Sequence, residues 1–323
     1  MSLFDKRLVV VGGKGGVGRT TVAAALAVAA VRKGKRVLLC QTKSKERLSS
    51  LFDVPRVGTD LVRLRDRLWG VNMTPQAALR EYGAMVLRSE FIAKQVLENK
   101  VSRSFLRAVP GLEDYAMLGK TWFHTTEEDD GGRAKWDLVI LDGPATGHLV
   151  TMLAIPQSIL DAIPEGPLTR PAASTLSLLR DPLRSALVLV TLAEDLPSNE
   201  AVELKRKIDA TVKMPWGPLV VNLLYPPRFA TGPSARAVQS LPEDVGDPEL
   251  QPLVSSARTA QRRRALNDRY LERLKRDVPL PQVHLPYLFT PRFDYAALEE
   301  LSRRLEGQVA AAPEVTAAAV GEK

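Results

Sequence analysis

The sequence is poor in cysteine, and this scarcity excludes several kinds of site. Cys40 is the only cysteine among 323 residues. One thiol cannot form an internal disulfide, and it cannot build a cysteine-rich zinc or iron–sulfur site without a partner chain. Because Cys40 ends an apolar run, it is expected to be a small buried residue.

Long hydrophobic runs are also missing. No apolar run approaches the roughly 20 residues that a helix needs to cross a bilayer, and the first residues, "MSLFDKRLVVVGG", lack the pattern of a secretion signal. These absences predict a cytoplasmic protein without stable membrane insertion. The net charge is +8, but the basic residues are spread over the chain and no nucleic-acid module is recognisable, so nucleic-acid binding is not expected.

Short apolar runs rich in β-branched residues alternate with longer helical patterns, which is typical of an α/β protein with a mostly parallel central sheet flanked by helices. Continuous hydrophobicity suits strands that are covered on both faces. We expect residues 1–323 to form a single domain with an insert. The candidate strands are residues 7–12, 36–40, 137–142, 186–191, 218–224 and 281–287.

Three segments fall outside this alternation. Residues 54–130 are far longer than a crossover between strands requires, and they predict an α-helical insert. Residues 225–253 hold clusters of proline and glycine, which predict a surface loop with little regular structure. Residues 306–323 carry no core pattern and are predicted to form a flexible tail.

A glycine-rich loop, "GGKGGVGRTT" (12–21), carries the most specific chemistry. It follows a predicted strand and opens a predicted helix, which is the setting of a phosphate-binding loop. Glycines let the backbone curl around phosphate oxygens, and the amides of the helix start add donors. Thr20 would place its hydroxyl on Mg²⁺, and Thr21 would reach the α-phosphate. The predicted nucleotide-binding residues of the loop are Gly13, Lys14, Gly15, Gly16, Val17, Gly18, Arg19, Thr20 and Thr21.

Two motifs give the chain a family resemblance. The early lysine in "GGKGGVG" resembles the deviant Walker A motif of dimeric P-loop ATPases, and "WDLVILDGPATGHLVTMLAIP" (136–156) is similar to the switch II segment of ArsA and Get-type ATPases. The nearest pattern is that of short bacterial ArsA-like proteins, which often occur as paralogous pairs. The resemblance implies a P-loop NTPase fold that binds ATP and Mg²⁺.

The resemblance also implies roles for single residues. Lys14 would cross a two-fold interface and act in trans on the partner's phosphates, and Asp142 would hold magnesium through water. Gly147 and His148 belong to the switch that senses the γ-phosphate. Asn222 and Pro286 occupy the positions that contact adenine in that family.

Two departures from the family pattern fall on the reacting centre. Arg19 stands in place of the lysine that bridges the β- and γ-phosphates, and its planar guanidinium cannot occupy the same point as an ammonium. Lys43 stands in place of a switch I aspartate thought to orient the attacking water, and an ammonium cannot accept a proton from water. The chain is therefore expected to hydrolyse ATP poorly, and to act as a homodimer or with a catalytically complete paralogue.

Two other interpretations remain open. The chain could be a self-sufficient ATPase in which Arg19 replaces the Walker lysine. It could also be a binding module without nucleotide turnover that holds a hydrophobic client on "MVLRSEFIAKQVL" (85–97), a stretch of the insert with apolar residues at helical spacing.

Overall fold

The computed structural model describes residues 2–42, 45–87, 111–162, 164–166, 169–229, 232–243 and 245–311. Strands and helices alternate along most of this length. The strands are β1 (Leu8–Gly13), β2 (Val37–Thr42), β3 (Val62–Arg65), β4 (Leu68–Met73), β5 (Leu138–Asp142), β6 (Ser185–Leu192), β7 (Trp216–Leu224) and β8 (Gln282–Pro286).

The helices of the described residues lie on both sides of these strands. They are α1 (Arg19–Arg32), α2 (Leu48–Phe52), α3 (Pro75–Leu87), α4 (Leu112–Thr126), α5 (Thr146–Ala162), α6 (Thr169–Arg180), α7 (Asp195–Thr211), α8 (Gly232–Ser240), α9 (Leu250–Asp277) and α10 (Tyr295–Ala311). Within these ranges, no helix combines the length and the apolarity that a bilayer crossing requires.

The strands form one sheet in the order β3-β4-β2-β5-β1-β6-β7-β8, and every pairing is parallel except that of β3 with β4. The chain leaves β1 toward β2 on one side, whereas β6, β7 and β8 follow on the other side. The carboxyl end of β1 therefore lies at the point where the winding direction changes, and open α/β sheets bind ligands at such points. The α/β fold predicted from the sequence is confirmed, and each of the six candidate strands overlaps a strand of the sheet.

Alternating side chains of the strands supply two separate apolar cores. Val9 and Val11 of β1 face the core beneath α1, α2 and α10. Leu8 and Val10 face the opposite core, beneath α3 to α7 and α9. Because strands covered on both faces need apolar residues at every position, the runs in the sequence are continuous.

The first helix packs closely on the sheet because its buried residues are mostly alanine. Positions 22–30 of α1 are all buried, and small side chains let the helix axis approach the strands. The helix ends before Gly34, whose φ of 81° is left-handed, and Gly34 N bonds to Val31 O. This packing fixes the orientation of α1, whose first residues belong to the glycine-rich loop.

The insert contains two strands that the sequence analysis misses. β3 and β4 form an antiparallel pair at one edge of the sheet, turning at Arg67, which has a φ of 54°. The stretch "VRLRDRLWGVNM" alternates arginine with apolar residues, because only part of an edge strand is covered. The helical part of the insert begins at Pro75. Residues 88–110, and with them most of the predicted client-binding stretch 85–97, lie outside the described residues.

The prediction of little regular structure in 225–253 is wrong. Residues Gly232–Ser240 form α8, and Leu250 begins α9. Ala235 and Val238, three positions apart, are the buried residues of α8, and Pro233 lies in its first turn, where proline is tolerated. The segment predicted as a tail from residue 306 begins within α10, which continues to Ala311.

Candidate functional site

The glycine-rich loop connects β1 to α1 at the carboxyl end of β1. Gly13 and Gly18 have φ values of 150° and 89°, which other residues rarely adopt. A Cβ added at Gly13 would lie 2.2 Å from Val190 O, and one at Gly18 would lie 2.3 Å from Asn222 Nδ2. Gly15 and Gly16 are exposed at the tip of the loop. The backbone is therefore held at its two ends and presented to solvent between them.

Asp142 lies directly against the start of α1. It ends β5 beside β1 and β2, and Thr20 Oγ1 donates to its Oδ2 at 2.6 Å. Gln41, at the end of β2, donates from Nε2 to the same oxygen at 3.5 Å. Burial raises the pKa of Asp142 to about 6, although Thr20, the charge of Arg19 and Gln41 each lower it. The structure thus brings together the two predicted magnesium-binding residues.

Arg19, the first residue of α1, extends toward the segment that follows Asp142. Its Nη1 donates to the carbonyl oxygen of Gly143. Burial lowers the pKa of Arg19, and the carboxyl of Asp142 opposes this effect. The guanidinium is therefore a cation close to the glycine-rich loop, and one of its donors is bonded to the backbone of the segment after Asp142.

Lys14 is paired within its own chain. Its Nζ donates to Oε1 of Glu200 on α7. The other oxygen of Glu200, Oε2, accepts from Thr146 Oγ1 at 3.4 Å. Thr146 is the first residue of α5, so a single carboxylate contacts both the glycine-rich loop and the start of α5.

Asn222 reaches from β7 to the same loop. Its Nδ2 donates to Val17 O at 3.0 Å, and its side chain is buried. Among the described residues, none provides a hydrogen-bond partner for Asn222 Oδ1. A buried acceptor without a partner is costly, and this atom is therefore suited to a ligand that donates a hydrogen bond.

Pro286 ends β8 and lines a groove of about 470 Å³. Three aromatic side chains share the groove: the rings of Tyr225 and Tyr287 stack with centroids 5.6 Å apart, and Phe289 lies 4.8 Å from Tyr287. Leu224, two residues after Asn222 on β7, also lines it. The groove therefore begins close to the asparagine that contacts the loop.

The remaining predicted residues are Thr21 and the three that were assigned to the switches. Gly147 and His148 are exposed in the first turn of α5, and His148 Nδ1 lies 3.7 Å from Asp114 Oδ2 on α4. Thr21 is the third residue of α1 and is half-buried. Lys43, the predicted switch I substitution, lies outside the described residues.

Sequence reasoning gave no role to Gln41 or Glu200, which both contact predicted site residues. Gln41 could have been found, because a polar residue at the end of β2 must lie beside the end of a neighbouring parallel strand. Glu200 carries no comparable signal, since it is 186 residues from Lys14 in the chain.

The arrangement can bind an anion and a divalent cation together. Loop and helix amides favour phosphate oxygens, Arg19 adds positive charge, and Thr20 and Asp142 supply the oxygen ligands that Mg²⁺ prefers. A nucleoside triphosphate with its metal has both of these features.

Comparison with known proteins finds one matching family model and several similar ATPases. The family model described as anion-transporting ATPase matches residues 6–165. ATPase BagA of Mycobacterium tuberculosis is 28% identical over 242 residues, which cover 73% of this chain and 71% of that protein. The arsenical pump-driving ATPase of Escherichia coli is 27% identical over 66% of this chain and 39% of its own length. ATPase GET3 of Lachancea thermotolerans is 28% identical over 46% of this chain and 44% of its own length.

Proposed function

Because the chain belongs to the ArsA/Get-type family of P-loop ATPases, we propose that it is an ATP-binding subunit of a dimer. In this proposal it binds ATP with magnesium in the glycine-rich loop, hydrolyses it poorly alone, and supplies Lys14 to the nucleotide of its partner. The partner is a second copy or a catalytically complete paralogue. The observation that carries the proposal is the contact of Thr20 with Asp142 beneath the loop.

Recognition of adenine is assigned to Asn222. Its buried Oδ1 has no partner among the described residues and can accept a hydrogen bond from the 6-amino group of adenine, whereas the 6-oxo group of guanine offers no donor there. Pro286 and the aromatic groove beside β7 provide apolar surface near this acceptor. These features favour ATP over GTP.

The magnesium ion is assigned to Thr20 and Asp142. Their oxygens lie 2.6 Å apart, and a hydroxyl with a carboxylate suits a hard cation. The ion would neutralise charge on the β- and γ-phosphates. Asp142 is fixed for this role by Gln41 and by Thr42, whose Oγ1 donates to the Asp142 carbonyl oxygen at 2.9 Å.

Weak hydrolysis is inferred from Arg19 and, by sequence, from Lys43. A lysine places a point charge between the phosphates, whereas Arg19 presents a wide planar fork, one arm of which bonds to Gly143 O. Loss of a water-orienting carboxylate at residue 43 is expected to reduce turnover on the order of a hundredfold or more. The chain is thus suited to binding and to assisting a partner.

Measurements of ATP binding and turnover test this function. Calorimetry should show that the wild-type chain binds ATP, while its steady-state turnover alone is on the order of a hundredfold below that of a complete family member. Arg19→Lys should raise turnover, because an ammonium replaces the guanidinium. Turnover by the isolated wild-type chain as fast as that of a complete ATPase would contradict the proposal.

Lys14→Ala separates action in trans from binding. It should leave ATP affinity of the isolated chain nearly unchanged and reduce turnover only when a partner subunit is present. Lys35→Ala is the matched control, since Lys35 is also ion-paired, with Asp5, but lies beyond the other end of α1. No detectable binding of ATP would favour the alternative of a client-binding module.

A further inference from the structure

Glu200 is the residue whose contacts the proposed function leaves unexplained. It projects from α7 and engages two elements of the site, the loop through Lys14 Nζ and the start of α5 through Thr146 Oγ1. The Lys14 and Glu200 side chains are 26% and 29% exposed. The pair is therefore partly shielded from water but still open to exchange.

The contact matters because it occupies the atom that a partner's phosphates would need. A lysine ammonium is a compact charge on a flexible stem, and Lys14 precedes the exposed Gly15 and Gly16 at the tip of the loop. The side chain can therefore turn outward if its carboxylate partner is given up. A partly exposed ion pair is weak enough to be exchanged for a phosphate oxygen.

We propose that Glu200 is a positioning residue that holds Lys14 inside the free subunit and releases it when a partner subunit presents its nucleotide. This inference rests on the proposed function of Lys14 in trans. Because Glu200 also contacts Thr146, release of Lys14 is linked to the position of switch II. The free subunit thus keeps its cation paired until a partner's phosphates compete for it.

The contact itself is tested in the isolated chain, without nucleotide. Limited acetylation with an amine-reactive ester, followed by mass spectrometry, measures how fast each lysine reacts. Glu200→Gln should increase the rate at Lys14 about two- to fivefold, the range expected from losing a partly exposed ion pair. Glu203→Gln is the matched control, because Glu203 pairs with Lys207 on the same helix, outside the site; it should affect Lys207 only. An unchanged Lys14 rate in Glu200→Gln overturns the proposal.

The consequence for assembly is tested by sedimentation with a non-hydrolysable ATP analogue. Glu200→Gln should strengthen association of subunits about two- to fivefold over wild type, and this gain should vanish in the Lys14→Ala background. Equal association of wild type and Glu200→Gln, or a gain that survives Lys14→Ala, overturns the proposal. If neither protein associates with itself, a second copy is excluded as the partner, whereas the acetylation result still tests the contact independently.

Discussion

Two buried asparagines, Asn222 and Asn267, differ in whether both polar atoms of the side chain have hydrogen-bond partners. This difference separates a binding role from a structural one. Both polar atoms of the Asn267 side chain have partners: its Oδ1 accepts from Tyr225 N at 2.9 Å, and its Nδ2 donates to Ala193 O at 3.2 Å. Among the residues that the structure describes, Asn222 has a partner only for Nδ2, which donates to Val17 O. Under the proposed function, the Oδ1 atom of Asn222 is therefore the one that can accept a hydrogen bond from a nucleotide.

This difference predicts that truncating Asn222 affects nucleotide binding, whereas truncating Asn267 affects stability. Asn222→Ala should weaken ATP binding about three- to tenfold and remove most of the preference over GTP, because one hydrogen bond to the base is lost. Asn267→Ala should lower the melting temperature without changing the ATP-to-GTP ratio. Competition of both nucleotides against a fluorescent analogue measures this ratio, and equal loss of preference in the two variants would contradict the assignment.

At the level of single residues, the sequence predicts best those sites whose residues lie close together in the chain. The loop from Gly13 to Thr20 is one continuous motif, and its fit to phosphate could be argued from spacing alone. The partner of Lys14 could not, because Glu200 becomes a neighbour only after β1 and β6 have paired and α7 has packed against them. A contact of this kind depends on tertiary structure rather than on any pattern in the sequence.

Among the elements, the edge pair β3 and β4 shows most clearly what periodicity misses. The parallel strands were predicted because both faces are covered and every residue is apolar. The apolar pattern of an edge strand is weaker, and "VRLR" is too short and too charged to be distinguished from the neighbouring loop. α8 was missed for a related reason, since Gly232 and Pro233 indicate a loop although they only begin the helix.

The tight packing of this edge pair can be measured at Gly70 on β4. A Cβ there would lie 2.8 Å from Leu64 Cδ1 and 3.2 Å from Leu48 Cδ1. Gly70→Ala should therefore destabilise the chain by about 1–3 kcal/mol, seen as a lower urea midpoint with an unchanged slope. At Gly58, no atom of the described residues other than the glycine and its two chain neighbours lies within 4 Å of an added Cβ, so Gly58→Ala should change stability by no more than about 0.5 kcal/mol.

At the level of the whole fold, Glu127 ties the helical insert back to the sheet. It follows α4, pairs with Nδ1 of His124 at 2.7 Å and accepts from Trp136 Nε1 at 2.9 Å. Burial disfavours its charge, but the bonds from His124 and Trp136 and the charge of Lys135 outweigh this and lower the pKa to about 2. The ionised carboxylate is therefore the form that stabilises the fold.

Stability should depend on this group in acid. In the unfolded chain Glu127 titrates near the ordinary value of 4.5, so its contribution is complete above about pH 5 and is lost as pH falls toward 2. Glu127→Gln should lower the free energy of unfolding by about 1–3 kcal/mol at pH 7. This difference in free energy between wild type and variant should shrink between pH 5 and pH 3. Urea unfolding at each pH measures this.

The matched control is Glu128→Gln, which changes the exposed neighbouring carboxylate. If the free energy of unfolding of Glu127→Gln stays below that of wild type by a constant amount over this pH range, packing and not the charge accounts for the loss.

The last helix of the described chain, α10, has a consequence for synthesis on the ribosome. This helix covers α1, where Ser302 Oγ donates to Ala25 O at 2.7 Å. It also lies along the outer edge of β8, where the side-chain amide of Gln308 bonds to both His284 N and His284 O. Until α10 has emerged, the nascent chain therefore exposes an apolar helix surface and an open strand edge. Such surfaces make partly folded chains prone to aggregation and targets for chaperones.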